Sequence, residues 1–544
     1  MAPSRSHFTW YNFLVCFAIS MGNIAFGYPA GTTPQPRRDI ICVNKALTAI
    51  IGTTLSQPGF LQYMGLLGKH GLTANANALI GAMNGVFQAG TLFGIWTTTI
   101  IMDKWGRKKA IAYAATLSII GSAIVTASQN VTMFIVFRFV AGAGCGLIQV
   151  CPVYCSELAP PVLRGFFVGM NGMLIATGYA FAAYMGLAFN SLKDNPEGQW
   201  RGPLGMGMVF SLWMIIILPF IPESPRWLLM KNEESKAWDI VKRLHSVSSD
   251  HDHDFTRREF YQIRKQIELD RTLDNSWTHM LKKPSYRKRS LLAIGYAFLG
   301  ESTAVLVITN YSSILYKQLG YDSHQQIALQ AGYHTVPIIG NLIGAVIMDK
   351  VGRRPLMLIG LAGCAVFLSI EAGIVASFTQ PGQAHNTAGL NMGVVALYLF
   401  IFCYAIGVDV AGLVFFREMF PNHIRGKGFS LAVGTKSLTD LVYLEAASTA
   451  FANIGWRFFL VFICIVTVGF AVMWIYLPET KGLPLEEIAA IFGDKDEVRL
   501  YLNEVEIDPT THKLQVHHQE NDETITKVAT EPFDEEIQAA PKGV

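Results

Sequence analysis

Long stretches without one charged side chain constrain this chain more than any other feature. Ala110–Phe137, Leu204–Ile221 and Pro355–Ile370 contain no Asp, Glu, Lys or Arg. A helix needs about 20 apolar residues to cross a bilayer. Twelve apolar stretches fall at 10–30, 79–102, 109–128, 131–153, 165–189, 204–221, 290–316, 328–348, 355–378, 390–415, 427–450 and 457–477. Charged residues make up only 15% of the 544 positions, against about 25% in soluble domains. That balance excludes a disordered chain or a coiled coil and speaks against an ordinary cytosolic enzyme. The expected fold class is an all-α membrane protein of twelve transmembrane helices. Its eight cysteines lie mostly inside the apolar stretches, without metal-ligand or paired spacing, and read as small apolar residues.

The stretches fall into two sets of six, which predicts two six-helix bundles, 10–221 and 290–477. Before them stands a short N-terminus, 1–9. Between them lies a polar segment, 222–289, with 15 Lys+Arg and 11 Asp+Glu and candidate surface helices at Glu233–His245 and Arg257–Leu269. After them, 478–544 is an acidic tail. From Glu479 onward it has 6 Lys+Arg against 16 Asp+Glu, and it reads as a largely disordered, solvated extension. Asp103–Lys109 carries four cations, Asp349–Arg354 carries three, and the central segment is also basic. The positive-inside rule puts all three in the cytoplasm, and an even number of spans then puts both termini there. A plasma-membrane location is the expectation.

The halves repeat each other. Asp103-Lys-Trp-Gly106-Arg107-Lys108 returns 246 residues later as Asp349-Lys-Val-Gly352-Arg353-Arg354. Glu157 and Arg164 return 261 residues later as Glu418 and Arg425, each Arg followed by Gly. Pro222-Glu223-Ser-Pro-Arg226 has a partner 256 residues later in Pro478-Glu479-Thr-Lys-Gly482. Each motif sets a carboxylate and a guanidinium at a cytoplasmic helix end. Such charges can pair across helices when that side is closed and separate when it opens. The plainer alternative is that the cations only obey the positive-inside rule. The doubled Glu-x6-Arg-Gly pattern favours gating.

These motifs, together with Arg138–Gly146 and Pro152-Val-Tyr154-Cys-Ser-Glu157, resemble those of sugar porters of the major facilitator superfamily, of the fungal type. The likeness runs from about Trp10 to Ile491. It implies two pseudo-symmetric bundles around a central site near the bilayer midplane. It also implies gating positions at Asp103, Gly106, Arg107, Arg138, Glu157, Arg164, Glu223, Arg226, Asp349, Gly352, Arg353, Glu418, Arg425 and Glu479.

The family's sugar-contacting positions depart from the pattern here. Aligned on Tyr311, a glutamine pair becomes Gly300 and Glu301, and an Asn becomes Leu306. Another family Asn falls at about Pro337, a Trp near Ser437, and a Gly-Pro-x-Pro-Trp stretch at Val408–Leu413. A glutamine falls near Gly172, beside Asn171. Charge replaces the amides: Glu301, Asp409, Lys436, Asp440 and Glu445 lie in apolar spans, as do His334 and Glu371. Such groups cost about 2.5–3.5 kcal/mol each on insertion scales and usually mark a pathway. The substrate-binding candidates are Glu301, Asn310, Tyr311, Asp409, Asn171 and His334. A Lys436–Asp440 bridge along one helix face is an even alternative for that pair. Glu371, near a helix end, reads as snorkelling to an interface.

Proton-coupled members carry an Asp after Phe-Gly-Tyr, where Pro29 follows Phe26-Gly27-Tyr28 here. Either the protein is a facilitator, or another carboxylate, Glu301 or Asp409, takes the proton. Gly142-Ala-Gly144-Cys-Gly146 sits in an apolar span and reads as close helix packing rather than a nucleotide loop. Gly31–Thr48 interrupts an otherwise continuous first span; its 18 residues would match a retained 54-nucleotide intron, and a real outer loop is the alternative.

The expected function is secondary transport of a sugar or sugar-like solute by alternating access, with protons a candidate coupling ion. The alternative is transport of another metabolite, an organic acid or natural product. A nutrient sensor that signals through the tail ranks third. No nucleophile–base pair, metal set or phosphate loop supports an enzyme. The expected partners are a small-molecule substrate and the lipid bilayer, with no cofactor and no nucleic acid.

Overall fold

The computed structural model describes residues 9–31, 58–68, 71–72, 76–160, 164–190, 195–245, 254–309, 316, 321, 323–378, 387–481, 488–494, 505–507, 514–520 and 523–528. Six long helices form the first half: α1 (Trp10–Pro29), α2 (Gly85–Trp105), α3 (Arg107–Thr126), α4 (Val131–Leu158), α5 (Gly165–Phe189) and α6 (Glu197–Ile217). Six form the second: α7 (Pro284–Thr309), α8 (Ala328–Val351), α9 (Arg353–Phe378), α10 (Asn391–Glu418), α11 (Arg425–Ile454) and α12 (Gly455–Tyr476). Eleven are long and apolar enough to cross a membrane. The other, α11, has 30 residues but carries Lys436, Asp440 and Glu445 in its length, so composition alone does not single it out.

Small residues set how closely these helices approach. A Cβ on Gly142 would lie 2.3 Å from the Phe87 carbonyl oxygen, and one on Gly144 2.3 Å from the Ser118 nitrogen. The glycine run in α4 is therefore a packing surface against α2 and α3, as expected. The halves meet where α5 runs along α8 and α2 along α11. At the α5–α8 seam a Cβ on Gly169 would come within 2.7 Å of Ala345 Cβ.

The central segment holds surface helices at Glu234–His245 and Asp254–Asp270, close to the expected bounds. They share a small apolar cluster built on Trp238, Val241, Phe260 and Ile263. His245 bridges Glu259 Oε2 at 2.7 Å and the Leu158 carbonyl at 2.8 Å, which ties these helices to the end of α4.

Two expectations change. The membrane-spanning part is all-α, as expected; outside it β1 (Leu67–Gly68) pairs with β2 (Gly71–Leu72), and β3 (Val505–Ile507), β4 (Leu514–Glu520) and β5 (Glu523–Val528) form an antiparallel meander. The meander lies in the acidic tail, where an extension without regular structure was expected. Its register sets Glu520 opposite Glu523. The Thr, Ile and Val residues of β5 favour strand, a local preference that the segment's net charge masks. Glu371 does not reach an interface: it is fully buried, and neither carboxylate oxygen has a hydrogen-bond partner among the described residues. It faces the helix bundle, not the lipid, because of where α9 packs. The unusual segment Gly31–Thr48 lies outside the described residues, except Gly31 at the end of a helical turn.

Candidate functional site

Two charge clusters, one per half, occupy the end of the molecule that carries the basic loops. In the first half, Arg107 donates from Nε to Glu157 Oε2 at 2.8 Å and from Nη2 to Oε1 at 2.5 Å. In the second, Arg353 does the same to Glu418 at 3.1 and 2.9 Å. Both pairs are buried. Each Glu takes a further hydroxyl, from Ser224 at 2.5 Å or Thr480 at 2.8 Å. Glu223 accepts the backbone N–H groups of Arg107 and Lys108 at 3.0 and 3.3 Å, capping α3. Glu479 accepts those of Arg353 and Arg354 at 3.0 and 3.1 Å, capping α9. A carboxylate at a helix N-terminus also suits the helix dipole.

The turn before each cap needs glycine. Gly106 has φ +98° and Gly352 φ +108°, and a Cβ would lie 2.7 Å from Glu223 Oε2 or 2.6 Å from Glu479 Oε2. The two aspartates reach across the halves. Asp349 Oδ2 accepts the Phe166 N–H at the start of α5 at 3.1 Å. Asp103 stands against Gly426 at the start of α11, where a Cβ would lie 3.2 Å from Oδ1. Gln149 of α4 donates to the Gly426 carbonyl at 3.0 Å. The halves are therefore in contact at this end.

Arg425 is buried and donates from Nε to the Arg417 carbonyl at 3.1 Å. Arg226 is buried in the short helix Pro225–Met230. Arg164 opens a helix, but its side chain lies outside the description. Arg138 does not belong to this cluster. It sits in the first third of α4, away from the Glu157 end, donates to the Met83 carbonyl at 2.9 Å and lies over the Phe87 and Phe134 rings. Sequence proximity to the family motif could not separate it from the gate.

Between the halves lies a cavity of about 1130 Å³, mouth included. Its charged wall comes from three helices. Lys436 Nζ of α11 lies 2.6 Å from Glu301 Oε1 of α7 and 3.9 Å from Asp409 Oδ1 of α10. Tyr404 donates to Glu301 Oε1 at 3.4 Å, and Asn341 donates to Asp409 Oδ2 at 3.2 Å. Asp440 lies within hydrogen-bonding reach of Glu301. Lys436 thus pairs between helices, not along α11 with Asp440.

Two local distortions present this wall. The helix Pro284–Glu301 ends at Glu301, the chain turns through Ala304 at φ +71°, and helix resumes. Such a conformation is costly for a non-glycine residue and clusters at functional sites. In α10 the residues Tyr404–Asp409 form a π-helical turn, which re-aims Tyr404 and Asp409 toward the cavity. A carboxylate at a helix C-terminus opposes the dipole, and the Lys436 ammonium offsets that for Glu301.

Of the expected binding residues, Glu301, Asp409 and His334 line the cavity. His334 stacks on Tyr179 of the other half, with ring centroids 6.1 Å apart and 9° between planes. Asn171 does not line it. Its Oδ1 accepts from Asn23 at 2.6 Å and its Nδ2 donates to Val168 O at 2.9 Å, so it fastens α5 to α1. Asn310 and Tyr311 lie outside the described residues. Sequence reasoning missed Gln88, Tyr179, Thr309 and Tyr404 on the wall. They are uncharged and carry little signal in an apolar block.

The sequence model of the family described as "Sugar (and other) transporter" matches residues 47–492. The chain belongs to that family. It is 28% identical over 476 residues to the MFS-type transporter criB of Aspergillus cristatus, covering 87% of this chain and 95% of that protein. It is 31% identical over 429 residues to the putative metabolite transport protein YwtG of Bacillus subtilis, covering 77% and 86%. Its fold matches a structure of the major facilitator proton:xylose symporter XylE bound to 6-bromo-6-deoxy-D-glucose. The TM-score is 0.74 at 20% identity, over 89% of this chain and 99% of that one.

The protein is thus a multi-pass membrane transporter of the sugar-porter family, with the major facilitator fold, and not an enzyme. Gly300, Glu301, Leu306, Pro337, Val408 and Asp409, the positions that depart from the family's sugar contacts, all line the cavity. Ser437 and Gly172 do not appear on that wall.

Proposed function

We propose that this protein moves a small polar solute, first a sugar or polyol, by alternating access between its two halves. The observation that carries this reading is the Lys436–Glu301–Asp409 cluster on the wall of a cavity between the halves. Family membership supports the sugar class. Gln88, Thr309, Tyr179, Tyr404 and His334 supply neutral donors and acceptors for hydroxyls. The bidentate Arg–Glu pairs and the cross-half contacts of Asp103 and Asp349 are the gate at the cytoplasmic end. Both termini lie in the cytoplasm and the plasma membrane is the site of action.

Three carboxyl groups surround one ammonium in this cluster. Full ionisation leaves two net negative charges in a largely apolar region, and each added proton removes one. Substrate entry that rearranges Lys436 would change that balance, which makes Glu301, Asp409 and Asp440 the candidates for proton coupling.

Charge in place of amides also favours a second reading, a metabolite that is not a plain hexose. An ionised solute would exchange partners with Lys436 or the carboxylates. The test is uptake of labelled glucose, xylose, a disaccharide, a polyol and an acidic sugar in a host without hexose carriers, with and without an uncoupler. Saturable sugar uptake that collapses with the uncoupler supports symport, and uptake that persists supports facilitation. Uptake of the acidic sugar alone moves the substrate to the organic acids.

A further inference from the structure

A second, smaller cavity of about 330 Å³, mouth included, lies within the first half, apart from the site between the halves. Its wall is mostly apolar, built from Tyr28, Pro29, Phe87, Val125 and Leu204. Two groups break that pattern, Arg138 and Ser122. Arg138 is only 8% exposed. Its one hydrogen bond among the described residues runs from Nε to the Met83 carbonyl at 2.9 Å, and no described carboxylate pairs with it. The Phe87 and Phe134 rings, at 5.2 and 5.8 Å, supply cation–π contact but no acceptor for the remaining N–H groups. The Ser122 hydroxyl makes no hydrogen bond to a described residue. Tyr28 OH, the other hydroxyl on the wall, already donates to the Pro203 carbonyl at 2.7 Å.

The wall therefore presents a permanent positive charge and a spare O–H donor, and it has no carboxylate among the described residues. A buried charge without a counter-charge is strongly unfavourable in a membrane interior. Guanidinium groups take anions through paired N–H donors. We propose that this cavity binds one small monovalent anion, a halide or a short carboxylate, between Arg138 and Ser122. The bound anion neutralises Arg138 and fastens α4 to α3 and α1. The cavity is far smaller than the central one, which favours an ion over a sugar-sized solute.

Pro29 lines the same cavity, so Pro29→Asp places a carboxylate where the anion would sit. The experiment follows the thermal unfolding midpoint of the purified full-length chain in chloride, formate or gluconate at one ionic strength and pH. For the wild type a saturable rise with chloride, or with formate, over gluconate is expected, because a ligand that binds only the folded state stabilises it by mass action. A response to chloride alone assigns a halide; a response to formate assigns a carboxylate. Pro29→Asp should lose the response while keeping the higher midpoint in gluconate, and Ser122→Ala should weaken apparent affinity. Arg138→Gln, if it folds, should not respond. Equal wild-type midpoints in all three salts overturn the proposal, and so does an undiminished response in Pro29→Asp.

Discussion

The two halves are nearly the same molecule at one end and different molecules in the middle. At the basic-loop end, the bidentate Arg–Glu pair, the hydroxyl on that Glu, the helix-capping Glu and the glycine turn of the first half (Arg107, Glu157, Ser224, Glu223 and Gly106) recur in the second as Arg353, Glu418, Thr480, Glu479 and Gly352. In the interior the symmetry ends. The first half buries Arg138 with no described acid beside it, while the second gathers Lys436, Glu301, Asp409 and Asp440 in one place. The repeated part is scaffold, which both halves need alike. The part that differs lines two separate cavities, one between the halves and one within the first half.

The sharpest test of the symmetric part is to break each pair in turn. Arg107→Ala and Arg353→Ala each strand a buried glutamate, which costs about 3–5 kcal/mol when one partner of a buried pair is removed. Unfolding midpoints and surface expression should fall by similar amounts for the two variants. Unequal losses would mean that the halves are alike in geometry but not in energetics.

The asymmetric part is tested with Lys436→Met, which leaves Glu301, Asp409 and Asp440 facing one another. Uptake of the transported solute should be lost. The double variant Lys436→Met, Glu301→Gln should recover much of the folding loss, and a double-mutant cycle reads the coupling between the two sites. An additive cycle would sink the pairing.

The glycine turns come next in size. Gly106→Ala and Gly352→Ala force a left-handed backbone on a side chain and crowd Glu223 or Glu479, with an expected cost of about 1–3 kcal/mol each by chemical or thermal unfolding. The smallest effect separates two sequence candidates. Asn171→Ala should lower stability and leave the KM for uptake unchanged. His334→Ala should raise KM with little change in stability. A KM effect from Asn171→Ala would return it to the solute site.

The frame and the buried Arg–Glu pairs were largely legible in the sequence. Charge-free stretches marked the spans, because a bilayer core tolerates few charges. The doubled motifs marked the two charge clusters proposed as the gate, because their pairs sit at fixed places near helix ends. The solute site was legible only in part. Glu301, Asp409 and His334 announced themselves as polar groups in apolar spans, while Gln88, Tyr179, Thr309 and Tyr404 did not. Strand propensity in the tail was hidden by its net charge, and the burial of Glu371 by its nearness to a helix end.

The sequence by itself determined that this chain crosses a membrane in two repeated halves, which loops are basic, and which charged motifs recur at the helix ends. Those features depend on local composition and on spacing along one helix. Only the tertiary structure decided that Lys436 meets Glu301 instead of Asp440, that Asn171 binds Asn23, and that Arg138 faces its own cavity. Those outcomes depend on how each helix is rotated and how closely its neighbours pack. Glycine contacts and a π-turn set that geometry, and no periodicity in a single helix encodes it.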